Sequence, residues 1–150
     1  MDWSAIPKQK HLVENGEIGD CWRCCIAAVL GLPAENVPHF LLGEDGKHNN
    51  NCDADTQKWL NERGLLMFYA SAVGGRTAIW FPRWSESKFP LPPIISCGPT
   101  DRSQGMGKHH AVVMVGNEVV YDPHPSEAGL TAITEQYLIL RPVTPEQCSA

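Results

Sequence analysis

The stretch His109-His110-Ala111-Val112-Val113-Met114-Val115-Gly116-Asn117-Glu118-Val119-Val120-Tyr121-Asp122-Pro123 carries the strongest hairpin signal in the chain. Two runs rich in β-branched residues, 110–115 and 118–122, flank a Gly-Asn pair that suits a two-residue turn. Antiparallel pairing brings the start of the first strand beside the end of the second, so a histidine meets Asp122. Which histidine depends on register. With a strict two-residue turn, Val115 pairs with Glu118 and Ala111 with Asp122, so His109 shares a face with Asp122. One extra residue in the turn, or a bulge between Val115 and Val119, reverses that parity and favours His110.

Outward from the hairpin, further strands are expected at 65–70, 94–97 and 137–141, with an edge strand at 77–84 that must accommodate Pro82. Residues 89–93, Phe-Pro-Leu-Pro-Pro, are extended, and 98–108 form a Gly-rich polar loop. Helices are expected earlier. One runs through 22–30 and stops at Gly31-Leu32-Pro33; a second covers 53–63, with Asp53 and Asp55 at its acidic start, Trp59 and Leu60 as anchors, and Gly64 in the stop position. Between them, 34–42 is a short turn of helix interrupted by Pro38, and 43–51 is an exposed, mobile polar loop. Helices followed by strands define an α+β fold, with N-terminal helices packed on a mainly antiparallel sheet. A chain of 150 residues, 43% of them hydrophobic, suits one domain spanning 1–150.

The first helix begins Gly19-Asp20-Cys21-Trp22-Arg23-Cys24-Cys25. With Asp20 as N-cap, Cys21 falls in the first turn, where unpaired backbone N–H groups and the positive end of the helix dipole favour a thiolate. Cys24, Cys25 and Cys97 fit the ordinary role of buried, inert thiols. Cys21, one of the two histidines and Asp122 are the residue types of a nucleophile, a base and an orienting acid. Cys21 and Cys24 also spell C-x-x-C, but a redox motif normally follows a strand and a structural zinc site needs a second ligand pair, for which His48 and Cys52 are poorly spaced. No metal and no organic cofactor are expected.

A formal net charge of −5, with twelve scattered Lys and Arg, gives no basic footprint for nucleic acid. No apolar run approaches the roughly 20 residues that span a bilayer, so no membrane partner is expected. The opening residues lack the order of a secretory signal, and Cys24 adjoins Cys25, so the six cysteines are expected reduced, in a cytoplasm.

The blocks G-D-C-W-R-C-C-I-A-A-V-L-G-L-P, V-P-H-F, H-A-V-V and Y-D-P-H-P-S-E-A-G-L resemble the papain-like cysteine peptidase superfamily. More narrowly, they look like small phage and bacterial members related to its bacteriocin-processing and cell-wall branches, which implies a host cytoplasm if the chain is phage-encoded. The resemblance implies Cys21 as nucleophile, His110 as base because it precedes Ala111-Val112, and Asp122 as orienting acid. Such enzymes place a Gln amide about six residues before the nucleophile, a position held here by Asn15; the Cys21 backbone N–H is the other oxyanion donor. Trp22 lines the substrate groove or belongs to the core, His109 is the fallback base, and His124 is a supporting, substrate-contacting or merely exposed residue. The activity implied is hydrolysis of an amide bond in a peptide or protein substrate. A catalytically silent scaffold that captures a peptide or partner protein, and an acyl transferase with the same triad, are the alternatives.

Overall fold

The computed structural model describes residues 2–71, 90–103 and 109–143. Among these, two α-helices, α1 (Cys21–Leu30) and α2 (Cys52–Asn61), precede all the strands of a five-stranded antiparallel sheet. Its strands are β1 (Leu66–Ser71), β2 (Ile94–Gly98), β3 (His110–Val115), β4 (Glu118–Tyr121) and β5 (Glu135–Leu140), in spatial order β1-β5-β2-β3-β4. The expected α+β class holds in this coarse form. The expected edge strand at 77–84 lies outside the described residues.

Helix α1 lies against β3 and β2. Cys25, Ile26, Ala27 and Ala28 are almost fully buried and share one core with Ile95, Cys97, Ala111, Val113, Tyr121 and Tyr137. These residues alternate along β2 and β3, as a sheet face covered by a helix requires. Gly31 ends the helix in the left-handed conformation, φ 66°, and its N–H turns back to the carbonyls of Ala27 and Ala28. Helix α2 buries Thr56 and Leu60 and packs beside β1, where the Gln57 side chain accepts the Met67 N–H at 3.0 Å.

Several boundaries differ from expectation. The second helix starts at Cys52 and ends at Asn61, with a further turn before Gly64 takes φ 67°. The last strand starts at Glu135 rather than at 137, because Glu135 and Gln136 pair with Cys97 and Ser96. The polar loop at 43–51 is tied down: Asn49 Nδ2 donates to the Phe40 carbonyl at 2.9 Å and to Asp55 at 2.8 Å, and the Gly43 N–H reaches the Lys47 carbonyl at 2.7 Å.

The hairpin has its two-residue turn, Gly116-Asn117, with Val115 opposite Glu118 and Met114 opposite Val119. Val113 then pairs with Tyr121, leaving Val120 as a bulge one step beyond the 115–119 interval where the extra residue was expected. The reason is Tyr121. Strict pairing would set it beside Val112, on the sheet face away from α1; the bulge turns its buried ring into the core with Ala111 and Val113. The same shift carries Asp122 onto the parity of His110.

Gly98 closes β2 opposite His110. A Cβ there would come within 1.9 Å of the Ala132 carbonyl oxygen, so only glycine lets the segment leading into β5 pass this close to the end of β3.

Candidate active site

Asp20 stands at the N-cap of α1 but does not cap it. Its carboxylate is buried, 1% exposed, and instead accepts the His11 N–H at 3.0 Å and pairs with Arg23 at 2.7 Å. This corrects the capping role expected from sequence: the carboxylate orients the approaching chain and leaves the opening N–H groups of α1 without a side-chain partner from Asp20. Cys21 is the first residue of that turn.

His110 begins β3, and its Nε2 lies 2.7 Å from Asp122 Oδ1, both side chains being buried. Cys21 borders the same two cavities as this imidazole. Asp122 is itself held by the N–H groups of His124, at 2.8 Å to Oδ1, and Gly129, at 2.9 Å to Oδ2. His110 and Asp122 thus form a buried pair, and Cys21 lines the same cavities as His110.

Burial alone would depress the His110 pKa, but the hydrogen bond to Asp122, then the hydrogen bond and charge of Cys21, push it up to about 9. Asp122 is the mirror case. Burial would raise it, yet the His110 hydrogen bond, the His124 N–H, the imidazolium charge and the Gly129 N–H lower it to about 2. Near neutral pH the pair is therefore imidazolium and carboxylate. Burial first, then the Asp20 charge, takes the Cys24 thiol up to about 12, and burial first, then Asp53, takes Cys52 up to about 11, both away from the reactive thiolate. Cys25 and Cys97 are raised well above the usual thiol range, chiefly by burial.

Cys21, Gly19, His109 and His110 border two cavities. One of about 600 Å³ has an aromatic floor of Trp22, Tyr69 and Tyr137 and carboxylates at Glu17, Asp53 and Glu135. Trp22 is a core residue, buried, with its Nε1 donating to Thr56 Oγ1 at 3.0 Å and its ring edge-on to Tyr137 at 4.6 Å, and it also borders this cavity. The other cavity, about 60 Å³, is bordered by Gln9, Glu14, Arg102 and His124. His109 is exposed, and His124 is buried with its ring 6.1 Å from that of His110.

Asn15 is not brought to the thiol. It ends a 3-10 turn, Val13–Asn15, is exposed, and lies outside the described lining of both cavities. Gln9, not Asn15, shares the lining of the small cavity with Cys21. The stretch 7–11 is drawn along the end of the hairpin by the Tyr121 hydroxyl, which donates to the Pro7 carbonyl at 2.6 Å, by the Gln9 N–H on the Pro123 carbonyl at 2.8 Å, and by Asp20 on His11. Spacing from Cys21 gave no sign of Gln9, since the intervening turn and Gly16 at φ 78° set the path of the chain. Among the described residues no group of three or more His, Cys, Asp or Glu is arranged to hold a metal ion, and no helix is long and apolar enough to cross a membrane.

No family model, curated protein or solved structure matches this chain.

Proposed function

We propose that this chain is a papain-like thiol hydrolase that cleaves an amide bond, peptide or isopeptide, through Cys21, His110 and Asp122. One observation carries the reading: the buried His110 imidazole lies 2.7 Å from the Asp122 carboxylate and shares a cavity lining with Cys21, in the first turn of a helix. Asp122 fixes the ring and stabilises its protonated form. The thiolate attacks the carbonyl carbon, and the developing oxyanion is met by the Cys21 N–H and the Gln9 side-chain amide. His110 gives its proton to the departing nitrogen as the C–N bond breaks, leaving a thioester on Cys21. Neutral His110 then takes a proton from water, the hydroxide oxygen adds to the thioester, and the C–S bond breaks to release the acid and restore thiolate and imidazolium.

The larger cavity offers a groove for a peptide, and a cytoplasmic setting that keeps thiols reduced belongs to the same reading. Comparing new N-termini and newly freed lysine amines, proteome-wide, in cells producing the chain or its Cys21→Ala form tests it. Cleavage products found with the unaltered chain alone are expected. Identical profiles would contradict hydrolysis and leave a binding scaffold.

A further inference from the structure

We infer that the larger cavity beside Cys21, of about 600 Å³, takes a cationic side chain of the substrate, a lysine or an arginine lying next to the amide that is cleaved. The inference rests on the amide-hydrolase reading and names its substrate class. The cavity opens between the starts of both helices and one face of the β1–β5 pair: Cys21 and Trp22 begin α1, Cys52 and Asp53 begin α2, and Tyr69 of β1 stands directly opposite Tyr137 of β5. Its size falls among those of ligand sites, roughly 300–1,000 Å³.

One wall of the cavity is aromatic. The rings of Trp22 and Tyr137 meet at 4.6 Å and 68°, and those of Tyr137 and Tyr69 at 5.3 Å and 52°, so the three form one continuous surface. Tyr69 is 57% exposed, which leaves its ring within reach of a ligand. Glu135, two residues before Tyr137 on β5, shares its face of the sheet, and Glu135 Oε2 accepts the Tyr137 hydroxyl at 3.3 Å. A carboxylate fixed at the edge of an aromatic surface can hold a cation twice over, by ion pairing and by attraction to the ring faces.

The charge of the cavity is one-sided. Among the described residues it is lined by Glu17, Asp53 and Glu135 and by no lysine or arginine. Glu17 is engaged by His11 Nδ1 at 3.3 Å and the Leu12 N–H at 3.1 Å, and the charge of His110 is matched by Asp122. Asp53 meets the Cys52 thiol at 3.7 Å, and neither it nor Glu135 has an ion-pair partner among the described residues. Both charges act on one phenol: burial first, then Asp53 and Glu135, raises the Tyr137 hydroxyl above its ordinary range. The positive end of α2 offsets part of the Asp53 charge, so Glu135, on a strand, exerts the stronger pull. No three His, Cys, Asp or Glu among the described residues are placed around one metal ion, so the cavity suits an organic cation.

The test is an NMR titration of the isotope-labelled full chain with the N-acetyl methylamides of arginine, lysine, norleucine and glutamate, read at the Trp22 indole N–H and the Tyr69 ring. Saturable shifts are expected from arginine or lysine, with norleucine and glutamate about tenfold weaker or worse. Arginine as the tighter ligand would mark stacking on the rings, lysine a compact ammonium between the carboxylates. Glu135→Gln keeps an acceptor for the Tyr137 hydroxyl but removes the charge, and should weaken cation binding about tenfold. No saturable shift from either cation, norleucine binding as tightly as they do, or an unaffected Glu135→Gln would overturn the cation pocket. Cation binding beside an unreactive Cys21 would instead overturn the hydrolase reading alone, and a reactive Cys21 without cation binding would overturn the pocket alone.

Discussion

His110 and Asp122 are each buried, and burial by itself pushes both toward neutrality, the imidazole losing its proton and the carboxylate gaining one. Their mutual hydrogen bond reverses both tendencies. The His110 ring should therefore release its proton near pH 9, and Asp122→Asn, which keeps the shape and removes the charge, should bring that midpoint down toward 6.5. Ring-proton NMR followed across pH checks this; a midpoint near 6.5 in the unaltered chain would contradict the pairing. At this scale the sequence was informative where one residue type has one job. A cysteine at the start of an apolar run preceded by Gly-Asp singled itself out, and His-Ala-Val-Val marked a strand start. Gln9 was silent because the tertiary bond from its N–H to the Pro123 carbonyl, which sets it on the cavity beside Cys21, leaves no periodic trace.

At the scale of elements, the start of α1 and the bend of β4 aim the site. Asp20 makes a buried ion pair with Arg23 and holds the His11 N–H, so its replacement strands both partners. Asp20→Ser would preserve a good N-cap residue, and loss of a cap costs only about 1 kcal/mol. Losing one member of a buried pair costs on the order of 3 kcal/mol, and we expect urea unfolding of Asp20→Ser to show the larger loss. A loss below about 1 kcal/mol would return Asp20 to a capping role. All five strands, β1 to β5, were legible from apolar and β-branched runs and glycine punctuation, β1 to within one residue, and the two-residue turn from Gly116-Asn117. The bulge was legible only as a requirement. Its position at Val120 follows from where the Tyr121 ring finds room under α1, a packing decision that local sequence does not encode.

Across the whole molecule, the His110–Asp122 pair links the candidate site to stability. Asp122, lowered to about 2, contributes stability that is complete above its ordinary value of 3.8 and lost as pH falls through 2. His110, raised to about 9, contributes stability that is complete below 6.5 and lost as pH rises through 9. The stability difference between the unaltered chain and Asp122→Asn, from urea unfolding, should accordingly be greatest between about pH 4 and 6.5 and shrink on both sides; a difference that does not vary with pH would contradict the ion pair. The α+β layering was legible because helices precede strands along the chain, whereas the strand order β1-β5-β2-β3-β4, which threads the last strand between the first two, was not. That threading puts the 130–134 segment against Gly98 and so braces the end of β3 where His110 sits. The proposed activation singles out one thiol of six, Cys21. Time-resolved iodoacetamide labelling at pH 7, mapped by mass spectrometry on the native chain, tests it most directly: Cys21 should alkylate at least about tenfold faster than Cys24, Cys25, Cys52 and Cys97, and His110→Gln should abolish that lead. Labelling of any of those four ahead of Cys21, or a lead that survives His110→Gln, would contradict the account.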